Sequence, residues 1–149
     1  MVLFLDFDGV LHPIDRGDGL FSCLPLFEQT VRQLPPLDIV VSSSWRVDHS
    51  LEELRAIFSA DIAAQIVGVT PYHTDGFTAE RYGRESEARA WLQQFCRESE
   101  PWLALDDSDW MFSPHCTQLI LVDPAVGFSH AEVIRLSQIV GFGPTSPSF

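Results

Sequence analysis

The chain has 149 residues, 46% of them hydrophobic and 20% charged, which is enough to bury one core and too apolar for wholesale disorder. No apolar run approaches the roughly 20 residues of a membrane span, and three cysteines without CxxC spacing argue against both a disulfide framework and a cysteine zinc site. Twenty-one acidic residues against nine basic ones give a net charge of −12, which disfavours unaided binding to a phosphate backbone; the chain has no lysine, so any cationic site group must be arginine.

In chain order, Val2 to Leu5 reads as a buried strand running directly into Asp6-Phe7-Asp8-Gly9, followed by a polar stretch to Gly19. Leu24, Phe27 and Val31 have helical spacing, with Pro25 tolerable in a first turn and Pro35-Pro36 as a stop. A second strand, Asp38 to Val41, empties into Ser42-Ser43-Ser44-Trp45-Arg46. Ser50 and Glu53 match a capping box ahead of an apolar face of Leu51, Leu54, Ile57 and Phe58. Ile66 to Val69 reads as a short strand, and Thr70 to Gly83 has loop chemistry. From about Arg84 to Arg97, the positions Ala88, Trp91, Leu92 and Phe95 predict an amphipathic helix. Trp102 to Leu105 is a strand ending in Asp106-Asp107, and Leu119 to Val122 is another, ending in Asp123-Pro124. Ser129 and Glu132 form a second capping box before a helix carrying Val133, Leu136 and Ile139. The expected domain is 1–140, with 141–149 as a loose tail.

Strands alternate with helices, and each strand is apolar at consecutive positions, so the fold class is α/β with strands buried on both faces of a mainly parallel sheet. Ligands of such sheets sit beyond the carboxyl ends of the strands. There this chain places Asp6 and Asp8, the Ser42–Ser44 run, Asp106 and Asp107, and Asp123.

In an extended chain, side chains at i and i+2 share a face, so Asp6 and Asp8 point into one region. Two carboxylates there repel unless a cation joins them, and Mg²⁺ takes a few carboxylate oxygens with water and substrate phosphate completing its shell. The serine hydroxyls and free main-chain N–H groups after the second strand can bind phosphate oxygens without adding charge. Arg84 opposes the helix dipole at its position, which an anionic partner would explain; Arg81 and Arg89 are close enough in sequence to compete for that role. Acids clustered at Asp106-Asp107 likewise favour a shared cation. The five histidines are scattered without ligand spacing, and structural or surface roles are expected for them.

The run Leu3-Phe4-Leu5-Asp6-Phe7-Asp8-Gly9-Val10-Leu11 resembles the first motif of the haloacid dehalogenase (HAD) superfamily. Val40-Val41-Ser42-Ser43-Ser44 resembles its second motif, Arg84 its third, and Leu103-Ala104-Leu105-Asp106-Asp107 its fourth, in the family's order. The Ser-Ser-Ser-Trp-Arg run is further similar to a small bacterial branch related to the phosphatase domain of RNA-repair proteins. The resemblance implies a Rossmann-like three-layer sandwich and a phosphatase-type hydrolase that forms an aspartyl-phosphate. By that likeness Asp6 is the nucleophile and Asp8 the acid/base. Mg²⁺ is held by Asp6, the Asp8 main-chain carbonyl and Asp107, with Asp106 orienting its shell. Ser43 contacts the transferring phosphoryl, with Ser42 and Ser44 as alternatives, and Arg84 supplies fixed positive charge. Trp45 and Arg46 are expected to shape substrate access.

About 33 residues separate the first and second motifs and about 40 the second and third, which leaves no room for a substantial cap domain. An open site suits a phosphorylated small molecule or macromolecular end, although the net charge opposes nucleic acid. The alternatives are a HAD-like binding or scaffold protein with a vestigial site, and a receiver-type signalling domain. The receiver would need a lysine and a phosphoacceptor on a later strand. Without a basic n-region or cleavage site at the N-terminus, the expected location is cytoplasmic.

Overall fold

A computed structural model describes residues 1–17, 19–72 and 81–142. Five short strands, β1 (Val2–Leu5), β2 (Asp38–Val41), β3 (Ile66–Val69), β4 (Trp102–Asp106) and β5 (Leu119–Leu121), pair in parallel in the order β3-β2-β1-β4-β5. The chain starts in the middle of the sheet, builds outward through β2 and β3, then crosses back to lay β4 and β5 on the other side. The strand order reverses between β1 and β4, where open α/β sheets form their ligand crevice. This order differs from the 2-1-3-4-5 arrangement of receiver domains, which removes that alternative.

Alternate residues of each strand supply two cores. Leu3, Leu5, Ile39, Val41, Leu103 and Leu105 face one side, where α1 (Leu24–Arg32) and α5 (His130–Phe142) bring Phe27, Val31, Leu136 and Val140. The short helices α2 (Leu51–Arg55) and α3 (Ala60–Ala63) add Leu54 and Ile62 to the same layer. On the other side, Val2, Phe4, Val40, Trp102 and Ala104 meet Ala88, Trp91 and Leu92 of α4 (Gly83–Gln94). Phe4 is held edge-on between Trp91 and Trp102 at 5.9 and 5.6 Å, a geometry worth about 1 kcal/mol per pair beyond area burial. The result is the expected three-layer Rossmann-like sandwich. Among the described residues, no second sheet or helical domain stands over the carboxyl edge as a cap.

Local chemistry explains most boundaries. Pro25 sits in the first turn of α1, and the Ser50–Glu53 box caps α2 reciprocally. The second box is only half realised: Glu132 Oε1 accepts from both the Ser129 N–H and the Ser129 hydroxyl, so the hydroxyl donates where a full box would have it accept. Helix α3 escaped the sequence reading because four residues carry no period. Its start is held from a distance by buried Glu28, which accepts from the Ser59 N–H and hydroxyl at 2.7 and 2.8 Å. Of the stretch read as a loop, residues 73–80 lie outside the described residues, as do 143–149 of the expected tail; 141 and 142 continue α5.

Candidate active site

Strand register assembles the site. Leu5 pairs with Val41 on one side and Leu105 on the other. The ladder continues one step, with Asp6 N donating to Leu105 O and Ser42 N donating to Leu5 O. Asp6 therefore emerges between Ser42 and Asp106. Just beyond, Gly9 turns the chain with φ +78°, and a Cβ there would fall 2.2 Å from Asp107 Oδ2. Only glycine fits both the backbone angle and the approach of that carboxylate.

Asp6, Asp106 and Asp107 each offer an oxygen within 4.8 Å of the others. Asp6 and Asp106 are buried. Arg84 Nη1 reaches both, at 3.3 Å from Asp6 Oδ1 and 3.0 Å from Asp106 Oδ2. Of the competing arginines, Arg89 instead pairs with Glu85 on the exposed side of α4 and packs on Trp102, and Arg81 lies over Tyr82. Desolvation, with repulsion from the neighbouring acids, raises the Asp6 carboxyl well above its ordinary range despite Arg84 and the Phe7 N–H. Burial raises Asp106 too, against the pull of Arg84. For Arg84, burial disfavours the charge, but Asp6 and Asp106 outweigh it and hold the guanidinium above its usual value.

The Asp8 carboxylate does not join this cluster. Its Oδ1 takes the His12 ring at 2.7 Å and Arg16 Nη2 at 3.2 Å, and its Oδ2 accepts from Trp45 Nε1 at 3.0 Å. Burial opposes its charge, but these hydrogen bonds from His12, Trp45 and Arg16 prevail and lower its pKa below the ordinary carboxylate value. Asp6 and Asp8 thus share a wall but not an environment, one pushed toward the acid form and the other toward the ionised form.

Two sequence expectations are corrected on the serine loop. Ser43 is wholly buried, and its Oγ accepts from the Trp45 N–H as the cap of a 3-10 turn over Ser44–Val47. The serine that lines the cavity is Ser44, while Ser42 lies buried beneath. Arg46 does not shape access at all. It is buried, donating to the carbonyls of Ser42, Ser43, Thr70 and Pro71, and it pairs with Glu87 of α4 at 2.5 Å. It is a strut joining the serine loop to the helix that carries Arg84. Trp45, by contrast, is at the site through Asp8.

A cavity of about 350 Å³ opens over the strand ends, walled by Asp6, Asp8, Ser44, Arg84 and Asp107, with Ile14 and Trp110 at its rim. Trp110 is 70% exposed. Asp123 stays outside and caps a turn through the Ala125 N–H. His12 and Arg16 were missed by sequence reasoning; the available signal was His12 lying four residues after Asp8 on a chain turning back. A family model described as HAD domain in Swiss Army Knife RNA repair proteins matches residues 2–133. No curated protein and no solved structure matches the chain.

Proposed function

This chain belongs to the family of HAD domains in Swiss Army Knife RNA repair proteins, and from that membership we propose that it is a magnesium-dependent phosphatase acting through an aspartyl-phosphate on Asp6. The observation that carries the reading is the placement of buried Asp6 beside Arg84 and on one cavity with Asp8 and Asp107.

The donor set fits a hard divalent cation. Three carboxylates converge, two of them buried, and Arg84 pairs with those two, Asp6 and Asp106. The Asp6 and Asp107 carboxylates and the Asp8 main-chain carbonyl would hold Mg²⁺. Bound there, the ion would neutralise charge between nucleophile and phosphate. Asp6, once it has released its proton, attacks phosphorus as the bond to the leaving oxygen breaks. Asp8, having taken up a proton from solvent as the phosphate dianion enters the cavity, gives that proton to the leaving oxygen. Asp8, now a carboxylate, takes a proton from water; the water oxygen bonds phosphorus and frees Asp6 as phosphate departs. Arg84 and the Ser44 hydroxyl stabilise the transferring oxygens.

The substrate we propose is a phosphomonoester, held by its phosphate in the cavity with the remainder passing out over Ile14 and Trp110. The family description brings a terminal phosphate of RNA into consideration; the net charge of −12 opposes a polyanion. The test is hydrolysis of p-nitrophenyl phosphate and of a phosphate-ended oligoribonucleotide, with Mg²⁺ and with chelator, wild type beside Asp6→Asn. Metal-dependent turnover that vanishes in the variant is expected. Full activity of Asp6→Asn would refute the nucleophile, and a wild type inert on both substrates would refute the phosphatase.

A further inference from the structure

Asp8 is the group on whose orientation the proposed proton transfers depend, and a side chain outside the four motifs bears on it directly. His12 lies where the chain turns back and its backbone bridges that of Asp8. Its side chain is wholly buried. Its Nε2 is 2.7 Å from Asp8 Oδ1, and its Nδ1 is 3.2 Å from the Phe21 main-chain nitrogen. A main-chain N–H only donates, so Nδ1 is the accepting nitrogen. The ring hydrogen therefore sits on Nε2 and points at the carboxylate. The Phe21 amide chooses the tautomer, as a second partner does for other functional imidazoles. The rings of Phe21 and Trp45, centred 5.2 and 6.4 Å away, pack around the imidazole and restrict its rotation.

From the other oxygen, Trp45 Nε1 holds Asp8 at 3.0 Å. Each carboxylate oxygen offers about two acceptor sites. On Oδ1 both are used, by His12 and Arg16; on Oδ2, Trp45 takes one. Among the described residues, the site left open on Asp8 is thus on Oδ2, and Asp8 itself lines the cavity.

We infer that His12 is a positioning residue: an Nε2–H donor locked by Phe21, it fixes Asp8 so that Oδ2 is the oxygen that exchanges protons with leaving group and water. The inference rests on the phosphatase reading for its chemistry. A buried histidine satisfied at both nitrogens is often only a piece of core. That alternative differs in what it predicts, because a core defect lowers stability without caring which leaving group departs.

Two variants separate the ring's two bonds. In His12→Asn the side-chain oxygen lies near Nδ1 and can still accept from Phe21, but no donor reaches Asp8. In His12→Gln an amide N–H reaches the Nε2 position and restores the donor. Single-turnover rates would be compared on p-nitrophenyl phosphate, whose leaving group departs without a proton, and on n-propyl phosphate, whose leaving group needs one. His12→Asn is expected to lose about 10- to 100-fold on the propyl ester and less than about 3-fold on the nitrophenyl ester, a fraction of what a general acid supplies. KM should hold, and His12→Gln should recover most of the loss. Equal losses on both esters, or no recovery in His12→Gln, would overturn the inference. Independently of activity, ¹⁵N spectra of the wild type should show Nε2 protonated and Nδ1 bare; a hydrogen on Nδ1 overturns it outright. A wild type inert on both esters would instead strike the phosphatase reading, and the ¹⁵N assignment would still decide whether Phe21 sets the donor.

Discussion

Without metal, Asp6 should weaken the fold, and Asp6→Asn should strengthen it. Burial and the repulsion of Asp106 and Asp107 push the Asp6 carboxyl up to about 8, against an unfolded value of about 3.9. For an acid whose folded value is raised, the folded state binds the proton more tightly. Stability is then full below about pH 4 and is lost progressively as pH rises toward 8. At about 1.4 kcal/mol per unit, a rise of roughly four units sets a ceiling of about 6 kcal/mol. The realised gain is smaller, since Asn gives Arg84 a weaker acceptor than a carboxylate and Asp106 shares the strain; about 2 kcal/mol is the expected figure. For a chain of this size that is a rise in Tm of about 4–8 °C. The assay is thermal melting of chelator-treated protein at pH 5 and pH 8. The gain should be present at pH 8 and shrink at pH 5, where Asp6 already carries its proton. Added Mg²⁺ should stabilise the wild type and do so less for the variant. A variant that melts lower than wild type at pH 8, or one whose advantage does not depend on pH, would refute the account of the cluster.

Arg84→Ala removes the cation between Asp6 and Asp106 and should lower kcat/KM roughly 100-fold in the phosphatase assay; Arg89→Ala, whose exposed guanidinium pairs with Glu85 and touches none of the site's aspartates, should match wild type. Gly9→Ala forces a Cβ to within 2.2 Å of Asp107 Oδ2 at φ +78°, and titration calorimetry should show Mg²⁺ affinity reduced about 10- to 100-fold. Glu87→Gln leaves Arg46 buried with its charge unpaired, at a cost of about 3 kcal/mol, which melting should register as a fall in Tm of about 10 °C. The double change Arg46→Met with Glu87→Leu should recover part of that loss, because a buried pair replaced by apolar volume leaves no orphaned charge.

What was legible in the sequence was what depends on neighbours along the chain. Consecutive apolar residues marked all five strands because a strand covered on both faces has no polar side to show. Once the strands were placed, parallel pairing brought their polar ends to one edge, so Asp6, Asp8, Asp106, Asp107 and the serine run were expected there together before any register was known. The structure groups the Asp6 carboxylate with Asp106 and Asp107 and turns that of Asp8 elsewhere. What failed was set by chain returning from elsewhere. Arg46 looked like a rim residue because it follows three serines. The 3-10 turn at Ser44–Val47 directs it instead beneath the edge toward Glu87, 41 residues later. The same turn converts Ser43 into a cap and gives the cavity Ser44. The environment of Asp8 was the least legible part. Its three donors come from a loop that doubles back and from a tryptophan on the next strand's exit, and no periodicity connects them. Yet these donors separate the two aspartates of the first motif. Asp6 and Asp8 are the same residue type two positions apart; one is stripped of water among acids, and the other is surrounded by hydrogen-bond donors. That contrast belongs to the fold and not to the motif, and the roles proposed for the two residues require that substrate and cation reverse it, ionising Asp6 and protonating Asp8.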